Sequence, residues 1–221
     1  MEPTKHFILF LLLLPFAAFA QLNDQGAWVS FAMKKKLKGP YEIELSPEIR
    51  MDQGMSRNAS IFVDAAFNYK VNKWASISAV LRQSWKSKLD GAYFSSQRFA
   101  FDLALDKSFK KVKWVYRLRL QSQLNSSFQE QEQELKQALR HKFSGKFKAV
   151  KKTYASLAFE LFQTRSGADL LLSDIRFKAQ VSRKLKKRNY LTLGYLFQNQ
   201  RNTKYPLREH VLLIGYKLEI K

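Results

Sequence analysis

The sequence predicts an all-β fold, a single antiparallel transmembrane β-barrel of about 10–12 strands. Three observations lead to it: apolar and polar residues alternate with a period of two, the alternating stretches are long, and short basic connections alternate with longer ones. A period of two is typical of a strand with one apolar and one polar face, because successive side chains point to opposite faces. The stretches reach about ten residues, the length that a tilted strand needs to cross a hydrocarbon core, whereas soluble strands have about five or six.

The alternation is clearest over residues 41–51, where the odd positions run from Tyr41 to Met51 and the even ones include Glu42 and Glu44. Over residues 98–106 a helical stripe through Phe99 would mix aspartates with apolar groups, so the strand pattern fits better. Strands are predicted at residues 28–37, 41–51, 59–71, 75–85, 98–106, 112–122, 135–147, 155–163, 175–181, 191–197 and 212–220.

Connections of two kinds alternate along the chain. Short connections are predicted at residues 38–40, 72–73, 107–111, 148–152 and 184–188, and longer ones at 52–58, 86–96, 123–134, 165–173 and 200–208. Short periplasmic turns opposite longer extracellular loops are typical of outer-membrane barrels. The acidic stretch 129–134 reads as an exposed loop tip. Bacterial single-chain barrels have an even number of strands, so we expect ten if residues 28–37 are not a full strand, or twelve if two strands are merged.

Composition and charge restrict the function classes. The 221 residues include 39 Lys and Arg against 18 Asp and Glu, a formal net charge of +21, and 46% are hydrophobic. This apolar content excludes a disordered polycation. The absence of cysteine excludes disulfides and cysteine nucleophiles. We expect no cofactor and no metal site, because the chain has no glycine-rich phosphate loop and no histidine cluster with metal-ligand spacing.

Residues 1–20 read as a cleaved signal peptide. The apolar run over residues 7–19 ends in Ala18-Phe19-Ala20, a small-x-small pattern that signal peptidases recognise. The run is shorter than the roughly 20 residues of a transmembrane helix. We therefore expect residues 21–221 to form one barrel domain in the outer membrane of a Gram-negative bacterium. Export removes nucleic acid as a partner and leaves membrane lipids or lipopolysaccharide as the anions that a basic chain meets.

The short connections predict a basic rim. Long cationic side chains lay their stems on apolar surface and reach headgroup phosphates, and tryptophans near strand ends, among them Trp28 and Trp114, suit the membrane interface. We interpret the rim as a lipid anchor rather than a site for a specific ligand. Its predicted residues are Lys34, Lys35, Lys36, Lys110, Lys111, Lys151, Lys152, Lys186, Lys187 and Arg188.

The polar strand faces predict a charged lumen. Charges of both signs inside a narrow barrel must pair, because an unpaired buried charge is costly. We interpret the lumen as a plug of ion pairs; the alternative is a lumen that passes or holds small polar solutes. The predicted network comprises Glu42, Glu44, Glu48, Arg50, Arg82, Arg117, Arg119, Arg140 and Glu160.

No catalytic residue can be assigned. Some barrel lipid hydrolases use a histidine and a serine on one strand face, but His141 and Ser144 are three residues apart and therefore face opposite sides. The adjacent Glu209 and His210 diverge in the same way. A dyad assembled from two strands stays open, as does acid–base chemistry by a carboxylate pair.

The order of short motifs along nearly the whole mature chain resembles the bacterial outer-membrane barrel family termed domain of unknown function 2490. The resemblance implies an outer-membrane location and no assigned activity, so it supplies no catalytic residues. The motifs are Gly26-Ala27-Trp28, Lys35-Lys36-Leu37, Glu48-Ile49-Arg50, Leu81-Arg82, Arg98-Phe99, Asp102-Leu103, Tyr116-Arg117-Leu118-Arg119-Leu120-Gln121, Leu139-Arg140-His141-Lys142, Glu160-Leu161-Phe162 and Gly215-Tyr216.

Three functions remain open at this point. The first is a monomeric outer-membrane barrel, structural or a narrow or plugged pore, that the barrel-insertion machinery assembles and whose basic rim contacts anionic lipid. The second is a membrane-embedded lipid hydrolase or lipid-modifying enzyme. The third is a soluble exported β-barrel that binds anionic glycolipid.

Overall fold

Eleven strands close into one barrel in the computed structural model, which describes residues 23–87, 93–127, 133–185, 188–202 and 206–220. All predicted strands are present and most are longer than the pattern indicated. Residues 28–37 belong almost entirely to a full wall strand, so the expectation of ten or twelve strands is wrong. The strands are β1 (Asn23–Lys36), β2 (Tyr41–Asp52), β3 (Arg57–Lys70), β4 (Ala75–Ser87), β5 (Tyr93–Phe109), β6 (Val112–Ser127), β7 (Gln133–Val150), β8 (Thr153–Ser166), β9 (Asp169–Lys184), β10 (Asn189–Gln200) and β11 (Arg208–Ile220).

The barrel closes through a parallel pair. Each strand is antiparallel to the next in sequence, but β1 and β11 run in the same direction, in register from Asn23 opposite Arg208 to Lys35 opposite Ile220. An odd number of alternating strands requires this, because the first and last strands then point the same way. As a consequence, β1 begins at one rim of the barrel and β11 ends at the other.

Connections differ between the two rims. The rim with the turns β1–β2, β3–β4, β5–β6, β7–β8 and β9–β10 is called the basic rim below, and the opposite one the loop rim. On the loop rim two of the predicted long loops are short. Only residues 53–56 separate β2 from β3, and β8 and β9 continue through most of residues 165–173 to a tight turn at Gly167, whose φ of 62° suits glycine. Of the acidic stretch 129–134, Gln133 and Glu134 begin β7 and the rest lies outside the described residues, as do the signal peptide and Gln21.

Apolar side chains cover the outer surface around the barrel. Phe67, Leu81, Phe101, Leu120 and Leu193 are each about half exposed. An apolar surface of this extent on every strand suits the hydrocarbon core of a bilayer and makes the fold a barrel of the transmembrane type. Among the described residues there is no helix with the length and hydropathy needed to cross a membrane.

Candidate functional site

Aromatic rings and arginines alternate around the inside of the barrel. We call this set the arginine–aromatic belt, and its members are Trp28, Arg50, Phe62, Arg82, Arg140, Phe162 and Arg176. The guanidinium carbon of Arg50 lies 3.6 Å from the ring centroid of Trp28 and 4.6 Å from that of Phe62. A cation over an aromatic face is stabilised by about 0.5–2 kcal/mol, more where water is excluded. The belt therefore joins neighbouring strands of the barrel through contacts inside the lumen.

The belt continues on both sides of Arg50. The guanidinium carbon of Arg82 lies 3.5 Å from the ring centroid of Phe62. That of Arg176 lies 5.7 Å from the ring centroid of Trp28 and 4.2 Å from that of Phe162. Arg140 lies 4.0 Å from the same ring of Phe162. The contacts thus run without interruption from β4 through β1 to β7.

Carboxylates hold several of these arginines in place. Arg82 donates two hydrogen bonds to Asp64, each 2.5 Å long, and Arg119 donates two to Asp102, of 2.6 and 2.7 Å. Both carboxylates lie on a neighbouring strand, since Asp64 pairs with Arg82 and Asp102 with Arg119 in the sheet register. Paired donors in this fork geometry are among the strongest hydrogen bonds in proteins.

Glu160 on β8 is the acceptor for three cations. Its oxygens lie 3.0 Å from Arg140 Nη2, 3.2 Å from Lys142 Nζ and 3.4 Å from Arg117 Nη2. Its side chain is almost fully buried. Removing it would leave three cations around one site without their shared carboxylate.

Three other predicted network residues, Glu42, Glu44 and Glu48, pair with cations outside this cluster. Glu48 accepts a 2.7 Å hydrogen bond from Arg50, on its own strand. Glu42 and Glu44 lie nearer the basic rim and both contact Lys34, whose bond to Glu42 is the shorter. Lys34, predicted at the lipid-contacting rim, thus points into the barrel.

Sequence reasoning left several lumen residues out of the network. Asp64 and Arg98 lie on the predicted polar faces of their strands, so the period of two and their charge would have been enough to assign them to the lumen. Trp28 was placed at the membrane interface, but it lies inside the lumen under Arg50. Phe62 and Phe162 share their strand faces with Asp64 and Glu160, and an aromatic residue on a polar face is the one signal that pointed to the belt.

Two cavities lie on opposite sides of the belt. The larger, of about 540 Å³, reaches from the belt to Glu44, Asn68 and Lys217 on the side of the basic rim. The smaller, of about 230 Å³, reaches from Trp28 and Arg50 to the loop-rim ends of β2 and β4. Ten basic and five acidic side chains line the larger cavity, which therefore carries an excess of positive charge.

Both histidines of the described chain face outward. His141 Nδ1 lies 2.9 Å from the hydroxyl of Tyr116, and His210 hydrogen-bonds to Tyr195. Ser144 faces the lumen side and donates to the carbonyl of Val115 at 3.4 Å. The separation of His141 from Ser144 confirms the prediction that these two residues form no dyad.

The basic rim carries lysine at turn positions that suit other residues. Lys110 and Lys152 have φ of 53° and 62° in two-residue hairpin turns, where asparagine and glycine are favoured. The backbone therefore does not explain lysine there. Lys35, Lys36, Lys111 and Lys151 are exposed on the same rim, and Arg188 is partly exposed. Lys186 and Lys187 lie outside the described residues.

The described architecture defines a closed β-barrel with an ion-paired interior. A family model described as a protein of unknown function, DUF2490, matches residues 25–207, and the chain belongs to that family. No curated protein matches the chain. Among solved structures, an anion-selective porin from Comamonas acidovorans is similar over 82% of this chain, with 12% identity and a TM-score of 0.39. The match spans 54% of the porin, about half of its length.

Proposed function

We propose that this protein is a barrel of the Gram-negative outer membrane whose lumen is occluded, and whose basic rim rests on the phosphates of anionic lipid. The observation that carries the proposal is the arginine–aromatic belt, which lies between the two lumen cavities. An open pore of this charge would need a continuous water-filled path. The contact of Arg50 with the ring of Trp28, together with the ion pairs beside it, supports the interruption of that path at this level.

The buried ion pairs of the lumen also support occlusion. Asp102, Arg119, Arg140 and Glu160 are buried to more than nine-tenths, and each pairs with an opposite charge. Buried pairs with good geometry are costly to break, because each partner would be left as an uncompensated charge. A plug built of such pairs resists opening by small fluctuations.

The orientation of the barrel follows from its connections. Short turns of outer-membrane barrels face the periplasm, so the basic rim is on the periplasmic side. Its lysines then meet the phosphates of the inner leaflet. Each cation near a lipid surface contributes about 1 kcal/mol to the binding of anionic lipid. Lysine at the positive-φ positions of Lys110 and Lys152 supports this role.

Conductance in planar bilayers tests the occlusion. We expect the wild-type barrel to pass little current, and the double variant Trp28→Ala/Phe162→Ala to give discrete channels, because two rings are removed from the plug. Trp114→Ala is the matched control, since Trp114 is exposed on the outer surface. Stable wild-type channels at low voltage would contradict the plug.

Cell fractionation tests the location. The folded chain is expected in the outer-membrane fraction. Its gel mobility is expected to change on heating, because a stable barrel unfolds in the gel buffer only when it is heated. Recovery of folded protein from the periplasmic wash would instead favour the soluble exported barrel.

A further inference from the structure

Arg98 on β5 lacks the carboxylate that the other belt-level arginines have. Its Nε and Nη2 atoms are buried and make no hydrogen bond within the described part of the chain. The residues directly opposite in the sheet are Arg82 on one side and Gln123 on the other. A buried guanidinium without an acceptor loses its hydration and gains nothing in return.

The surrounding charges make this position more cationic still. Three of the four charged side chains that act on Arg98 are cations, Arg82, Arg140 and Arg119, and the fourth is the carboxylate of Asp64. Asp64 already accepts two short hydrogen bonds from Arg82. Like charges opposite one another in a sheet, here Arg82 and Arg98, are destabilising, so an anion bound between them would stabilise the barrel.

Arg140 carries a second donor that makes no hydrogen bond within the described part of the chain. Arg140 donates through Nη2 to Glu160, but its Nε is buried and has no acceptor among the described residues. Both Arg98 and Arg140 line the 540 Å³ cavity. This volume is many times that of a water molecule, about 30 Å³, and therefore has room for a polyatomic anion.

We propose that Arg98 and Arg140 form a binding site for a small oxyanion, such as a phosphate group, in the lumen cavity on the side of the basic rim. The planar fork of a guanidinium matches the spacing of two oxyanion oxygens, which makes oxyanions better ligands than spherical halides. The proposal goes beyond occlusion, since a plugged lumen can hold an anion without passing it.

Thermal unfolding of the full mature chain in an uncharged detergent tests the site. Inorganic phosphate is titrated at constant ionic strength against chloride, and the midpoint is followed by the loss of the folded gel band. The wild type is expected to gain stability saturably with phosphate. Arg98→Gln is expected to weaken the apparent affinity about tenfold or more, the loss typical of a charge-assisted hydrogen bond.

Matched variants separate binding from a structural effect. Arg183→Gln removes the same charge from an exposed position on β9 and is expected to leave the phosphate response unchanged. Arg98→Lys keeps the charge without the fork and is expected to be intermediate. Without phosphate, Arg98→Gln is expected to unfold at the same temperature as the wild type or higher, because it removes an uncompensated buried charge.

Two results would overturn the site: no stabilisation of the wild type beyond that of chloride, or an equal response of Arg98→Gln and Arg183→Gln. Repeating the titration with a short-chain phosphatidic acid identifies the source of the phosphate group. Tighter binding of the lipid assigns the site to a headgroup, and tighter binding of free phosphate assigns it to a solute. The planar-bilayer conductance is a separate measurement, so a failure of the site and a failure of the occluded lumen are distinguishable.

Discussion

Arg50 lies over the indole of Trp28, its guanidinium carbon 3.6 Å from the ring centroid, and the two residues are direct partners in the β1–β2 register. A cross-strand pair of this kind places an aromatic ring among charges. The ring lies against the guanidinium group, whose Nε donates a hydrogen bond to Glu48. This one contact therefore joins the apolar and the ionic parts of the plug.

Trp28→Ala is expected to lower the free energy of unfolding by about 3–5 kcal/mol, because it removes a large packed ring and its contacts with two arginines. Denaturant unfolding of the reconstituted barrel, followed by the folded gel band, measures the loss. Trp85→Ala is the control, since Trp85 is half exposed on the outer face and its loss should be smaller. Equal losses would mean that Trp28 is not packed in the plug.

Asp102→Asn is expected to destabilise the barrel by about 3–5 kcal/mol, since it leaves the buried Arg119 without its carboxylate. Asp106→Asn, which breaks the more exposed pair with Lys113, should cost at most about 1 kcal/mol. The same unfolding measurement compares the two. A larger loss for Asp106→Asn would contradict the burial of the Asp102 pair.

A disulfide is expected to form across the parallel seam in the double variant Ser30→Cys/Gly215→Cys. Ser30 and Gly215 are direct partners in the β1–β11 register, and a Cβ atom at Gly215 would lie 3.1 Å from Ser30 Oγ, so the two side chains are close enough for the specific geometry of a disulfide. The chain has no cysteine of its own, so the oxidised product is read directly from gel mobility.

The control for the seam is Ser30→Cys/Thr192→Cys. Thr192 lies on β10, two strands from β1 and therefore roughly 9–10 Å away. Cross-linking of this pair instead of the first would show that β11 does not close the barrel beside β1.

Replacing Lys110, Lys111, Lys151 and Lys152 by glutamine is expected to weaken binding of anionic lipid to the detergent-solubilised barrel. Each lysine near a lipid surface contributes about 1 kcal/mol, so the loss should be large at low salt and shrink as salt is added. Lipid retention on the purified protein measures it. The matched replacement of the same lysines by arginine keeps the charge and should retain the lipid; an equal loss in both variants would exclude a charge effect.

Much of the fold was predictable because the pattern that encodes a strand is local. Alternation over residues 41–51 and 98–106 is enough to place each strand and its two faces, whatever that strand pairs with. The same parity separates His141 from Ser144 and puts Glu160 and Arg140 in the lumen. Trp28 was misplaced because its position near a strand end was used instead of its face, which it shares with the lumen-lining Ser30 and Ala32.

The sequence by itself determined the strands, their inward and outward faces and the basic turns, because side chains two residues apart share a face in any strand. Only the tertiary structure decided the parallel closure of β1 on β11, the pairing of Asp64 with Arg82, and the isolation of Arg98 from a carboxylate. These depend on the register between strands distant in the chain. Register is a property of the closed barrel as a whole, and no pattern within one strand records it.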